Sequence, residues 1–200
     1  MYNKKEENMK KVFCIIPMMF LTLCVNAQFM ATKDGVKTTD GKDFYVIDIE
    51  GKTAKQLYDN IISYIMMNFK NPDAVLNKQE GKMINIHGVF SDAVPCKKVG
   101  NFINYADIDL NLIIHFKDGK IRFDAPKINS IERQMPDGKI WKYYLYEGGV
   151  TGQMVGVFSL FKKNGKVKNE YAVNGFNEFI NTLISNMLKY AKGESEDSEW

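Results

Sequence analysis

Between Tyr105 and Ile128 the chain carries its clearest strand signal. Ala106, Ile108, Leu110, Leu112, Ile114 and Phe116 hold every second position, and Asp107, Asp109, Asn111 and His115 stand between them. Strand side chains alternate between the two faces of a sheet, so this pattern predicts one buried side and one polar side. Asp118-Gly119 follows, a strong two-residue hairpin turn. Closing the hairpin there sets Phe116 against Ile121, Ile114 against Phe123 and His115 against Arg122. Apolar meets apolar and polar meets polar, which pins the register.

A half-buried sheet needs a cover, and two segments offer one. Thr53 and Gln56 have capping-box spacing. Behind them Ala54, Leu57, Tyr58, Ile61, Ile62, Ile65, Met66 and Phe69 recur at helical intervals. Asn71-Pro72 ends that helix, because a residue before proline avoids helical geometry. Near the C-terminus Phe176, Phe179, Ile180, Leu183, Ile184, Met187, Leu188 and Ala191 mark a second apolar stripe, with Asn174 a candidate cap. Two one-sided helices and a one-sided sheet fit one α+β arrangement: a curved antiparallel sheet with both amphipathic helices packed on one face.

Other strands are predicted at Asp43–Glu50, at Lys82–Ser91 and over 140–146, with a loop over Ser91–Asn101. Residues 147–156 form a glycine-rich loop. Val157–Lys162 and Lys166–Tyr171 fit a hairpin across Asn164-Gly165. Residues 28–41 are polar and carry two glycines, so they are expected to be a mobile leading segment. Residues 42–192 form a single domain, and 193–200 an acidic, disordered tail.

Residues 9–28 read as an export signal. Lys10 and Lys11 precede an apolar run from Val12 to Val25, too short to span a bilayer, and Ala27 offers a cleavage point. The predicted signal peptide is 1–27, with Met1 or Met9 as the start. Cys24 could carry a lipid, but bacterial lipidation wants a small residue before the cysteine and Leu23 is not one. The expected location is therefore the periplasm or the exterior. Of 27 basic and 24 acidic residues, four lysines and two glutamates fall in 1–27, which leaves a net charge of +1. Nucleic acid needs clustered cations, so it is not an expected partner. Cleavage leaves Cys96 as the one thiol, unable to form an internal disulfide.

Together, the helix in GKTAKQLYDNIISYIMMNFKNPDAVL, the strand GKMINIHGVF, the hairpin ADIDLNLIIHFKDGKIRF and the terminal amphipathic helix resemble a known family. It is an exported bacterial domain of unknown function with a TATA-box-binding-protein-like fold. The resemblance covers about 42–129 and 174–191. It implies a curved sheet with helices on the convex side and implies no activity. Nor does the fold's name imply DNA binding, since fold does not carry function.

His87 and His115, the chain's two histidines, fall on the polar side of the sheet. With Asp107, Asp109, Asn111, Arg122 and Asp124 they form the candidate binding surface. A shared metal would need both histidines and a carboxylate together, but solvent-side histidines account for the pattern without one. Asp107-Ile108-Asp109 imitates a calcium loop, yet Leu112 stands where such a loop needs glycine. Cys96 with His87 could pair as nucleophile and base, but no second activating group accompanies the thiol, so a loop thiol is expected. No cofactor is implied. Mixed charge on the face favours a protein or glycan partner over a lipid. An envelope hydrolase using the histidines with aspartates, and a structural homo-oligomer, are the alternatives.

Overall fold

The computed structural model describes residues 29–99, 102–146 and 156–194. The expected export signal, the glycine-rich segment 147–155 and the tail from 195 lie outside the described residues. In chain order the elements are β1 (Phe29–Thr32), β2 (Gly35–Thr38), β3 (Phe44–Asp48), α1 (Ala54–Asn68), the single turn α2 (Pro72–Val75) and β4 (Leu76–Gln79). They continue as β5 (Met83–Val99), β6 (Phe102–Lys117), β7 (Lys120–Asp124), β8 (Lys127–Gln134), β9 (Ile140–Tyr144), β10 (Val157–Ser159) and α3 (Glu170–Lys192).

The main sheet runs β4-β5-β6-β8-β9-β10. Strand β6 is long enough to be shared along one edge, β8 pairing with Asp107–Asn111 and β7 with Ile114–Lys117, and β7 in turn carries β3. The β6–β7 hairpin has the register the alternation predicts, with Phe116 opposite Ile121, Ile114 opposite Phe123 and His115 opposite Arg122. Ile84, Ile86, Ile108, Leu110, Leu112, Ile114, Ile121 and Phe123 are fully buried on one side. Both long helices cover that side. The Tyr58 ring of α1 meets Phe116 edge-on at 5.6 Å, α3 packs along β5, and the helices touch through Tyr64 and Tyr190, 5.1 Å apart. The fold is the α+β layer pair expected from the sequence.

Thr53 caps α1 as its spacing predicts: its hydroxyl accepts the Gln56 N–H, and the Gln56 side chain accepts the Thr53 N–H. A second partner comes from the hairpin turn, where the Asp118 carboxylate accepts the Ala54 N–H at 2.8 Å. The turn that reverses β6 thus also satisfies an orphan donor of α1. Along α1 the buried face is Leu57, Tyr58, Ile61, Tyr64 and Ile65. Met66, expected inside, is exposed because Tyr64 turns inward against α3.

Several local expectations need correction. Residues 28–41 are not a mobile lead-in: from Phe29 they form the β1–β2 hairpin with Phe29, Ala31 and Val36 buried. Two amides of α3 hold its edge. Asn181 accepts the Phe29 N–H and donates to the Phe29 carbonyl, both at 2.9 Å, and Asn177 accepts the Ala31 N–H at 2.8 Å. Residues 91–99 are strand rather than loop, carried past Pro95 by two irregularities in the pairing with β6. Helix α3 starts at Glu170, capped by Asn169 rather than Asn174, because Ala172 and Val173 extend its buried stripe by a turn. The second hairpin is reduced to a bridge between Phe161 and Val167, while β10 runs parallel to β9, the one parallel pair in the described sheet.

Candidate functional site on the helix-free sheet face

Every candidate residue comes from a strand position alternate to the buried core, so all seven stand on the side away from the helices. They form three separate groups. His87 of β5 lies opposite Asn111 and reaches diagonally to Asp109, Nε2 to Oδ1 3.3 Å. Asn129 donates to the same carboxylate oxygen at 3.0 Å. Beside this pair Asn111 keeps its Oδ1 buried with no hydrogen-bond partner among the described residues.

The second group sits on β6 and β7. His115 lies opposite Arg122 and reaches diagonally to Asp124, Nε2 to Oδ2 3.2 Å. Arg122 donates through Nε to the other oxygen of Asp124 at 2.7 Å. Its guanidinium also lies over the Phe44 ring, 4.1 Å from the centroid. One carboxylate thus orients an imidazole and a guanidinium, and the ring clamps the guanidinium from β3. The third group is Asp107, which accepts the Asp92 N–H at 2.8 Å. That bond serves the backbone of β5 where its pairing is interrupted.

The two histidines are not brought together. His115 pairs opposite Met83, four residues along β5 from His87, so at about 3.3 Å per residue they stand roughly 13 Å apart. Each has its own carboxylate. Among the described residues no three histidines, cysteines or acids cluster closely enough to hold a metal ion. Cys96 is in a strand, not a loop, and does not face His87. It is 2% exposed in the core beside Tyr143. Burial pushes its thiol up to about 12, so it stays protonated at neutral pH.

Sequence reasoning missed the apolar members of this face. Phe44, Val46, Val89, Tyr105, Ile140 and Tyr144 are all exposed, and their strand positions share the face of the histidines. The available signal was a strand with apolar residues at consecutive positions, as in Phe44-Tyr45-Val46-Ile47 and in the pairs Ile140-Trp141 and Tyr143-Tyr144. Such strands have no wet side of their own.

No curated protein matches this chain. Among solved structures, a TBP-like protein from Parabacteroides distasonis aligns at 13% identity with a TM-score of 0.53, covering 74% of this chain and 90% of that one. A DUF4468 family protein from Bacteroides ovatus aligns at 14% identity with a TM-score of 0.45, covering 78% and 88%. Residues 44–130, from β3 to β8, match the family model described as a domain of unknown function (DUF4468) with TBP-like fold. That span contains all seven candidate residues, and it is this part of the chain that matches the DUF4468 family with its TBP-like fold.

Proposed function

We propose that this protein is an exported, non-catalytic recognition module of the cell envelope that docks a partner protein on the helix-free face of its sheet. One observation carries the reading. That face combines oriented charges of both signs with exposed Phe44, Val46, Val89, Tyr105, Ile140 and Tyr144. Arginine and aromatic side chains are enriched in protein interfaces, and fixed charges choose among partners. A lipid surface would match the mixed charge poorly. The export half of the proposal rests on the charge, length and cleavage pattern of residues 9–28.

The test is photo-crosslinking in intact cells. A photoreactive residue is placed at Tyr144 or Val46, or at Ser185 on the exposed side of α3. The expected result is one envelope protein attached from the sheet positions and not from Ser185. Attachment from all three alike, or only to cytoplasmic proteins, contradicts the proposal.

A further inference from the structure

A cavity opens at the β5 edge of the sheet, where Val89 and Tyr105 of that face line one side of it. It is a cleft of about 930 Å³ between the end of α1, the α2 turn, α3 and the irregular stretch of β5. Small-molecule sites commonly span roughly 300–1,000 Å³. We propose that this cleft is a carbohydrate-binding site for a neutral sugar or short oligosaccharide.

Its walls have the two chemistries that such a ligand needs. Phe69, Phe90 and Phe179 form an edge-to-face row at 5.5 and 5.3 Å, each only partly buried. They leave ring surface open in the cleft, the surface that a sugar's C–H side covers. Around them stand the amides of Asn68, Asn71 and Asn186 and the hydroxyls of Ser91 and Thr182. Amides and hydroxyls both donate and accept, which suits a ligand whose polar groups are all hydroxyls. Asn186 and Tyr64 both line the cleft. The charges at the rim, Lys70, Asp92 and Glu178, carry both signs, so no field selects an anion. An acyl chain would leave five neutral polar side chains facing hydrocarbon, each at a cost.

The cleft is built by specific backbone features. Asp92 holds φ at 51°, a left-handed value unusual outside glycine. The Asp107 carboxylate on its N–H fixes it at the lip. Strain of this kind gathers at ligand clamps and persists only where neighbours enforce it. At the other wall α3 approaches so closely that a Cβ on Gly175 would lie 2.2 Å from the Pro95 ring. Beyond Ile86, β4 no longer covers β5. The gap there lies open between α2 and α3.

The experiment screens the folded chain against an array of neutral gluco-, manno-, galacto- and xylo-oligosaccharides, followed by titration calorimetry with the best binder. The expected result is saturable binding that weakens at least tenfold in Asn186→Ala and in Thr182→Trp. Thr182 is exposed, so the tryptophan fills the cleft without entering the core. Arg122→Ala, on the sheet face and outside the cleft lining, leaves sugar affinity unchanged, which separates this site from the charged part of the docking surface. Three results overturn the proposal: no binding by any array sugar, binding insensitive to Thr182→Trp, or binding of a fatty acid or peptide in place of every sugar.

Discussion

At the scale of single residues, Cys96 shows how burial sets chemistry. The unfolded chain releases the thiol proton near its ordinary value of 9.0, the folded chain only near 12. Above 9.0 the unfolded state therefore binds fewer protons than the folded state, and stability falls as pH rises toward 12. Denaturant titrations at about pH 8, 9 and 10 should show this decline, and Cys96→Ala should flatten it while lowering stability at every pH. A thiol reagent should modify the native chain at least a hundredfold more slowly than the unfolded chain. Rapid modification of the native chain would mean that the thiol is not in the core.

At the scale of elements, the structure divides into parts written locally and parts written across long distances. The β6–β7 hairpin was legible to the register, because each apolar residue had an apolar residue opposite and Asp118-Gly119 fixed the turn. The α1 cap was legible too, since both partners lie within four residues. The β1–β2 hairpin was not. Its edge is satisfied by Asn177 and Asn181, 146 and 152 positions away from their partners, and no local pattern carries that pairing. The course of β5 past Ser91 was hidden for a different reason: Asp92 and Pro95 are breakers by type and are absorbed as pairing irregularities. For Asn181→Ala the expected loss is about 2 kcal/mol, since the Phe29 N–H and carbonyl both lose a partner. Hydrogen exchange localises it: the Phe29 amide should speed up sharply while Ile108 in the core changes only with global stability. Equal change at both positions would deny the anchor.

At the scale of the whole molecule, covering one side of a sheet with two helices leaves the other to solvent or a partner. The seven candidate residues were legible as a set because alternation sends them all to one side. Their division into His87–Asp109, His115–Asp124–Arg122 and Asp107–Asp92 was not, since diagonal neighbours depend on register and rotamer. The exposed aromatics were hidden because strands with two apolar sides look buried in sequence. The cleft was invisible, being lined from five elements spread over more than half of the chain.

Carbethoxylation of histidine tests the central claim most directly, by comparing rates at His87 and His115 in the purified chain and in intact cells. In the purified chain His87, at 61% side-chain exposure, should react faster than His115 at 39%. In cells both should slow severalfold relative to an exposed reference peptide, as the proposed partner on the helix-free face requires. Rates in cells equal to those of the purified chain would show that face bare, and the account of it as a docking surface would fail.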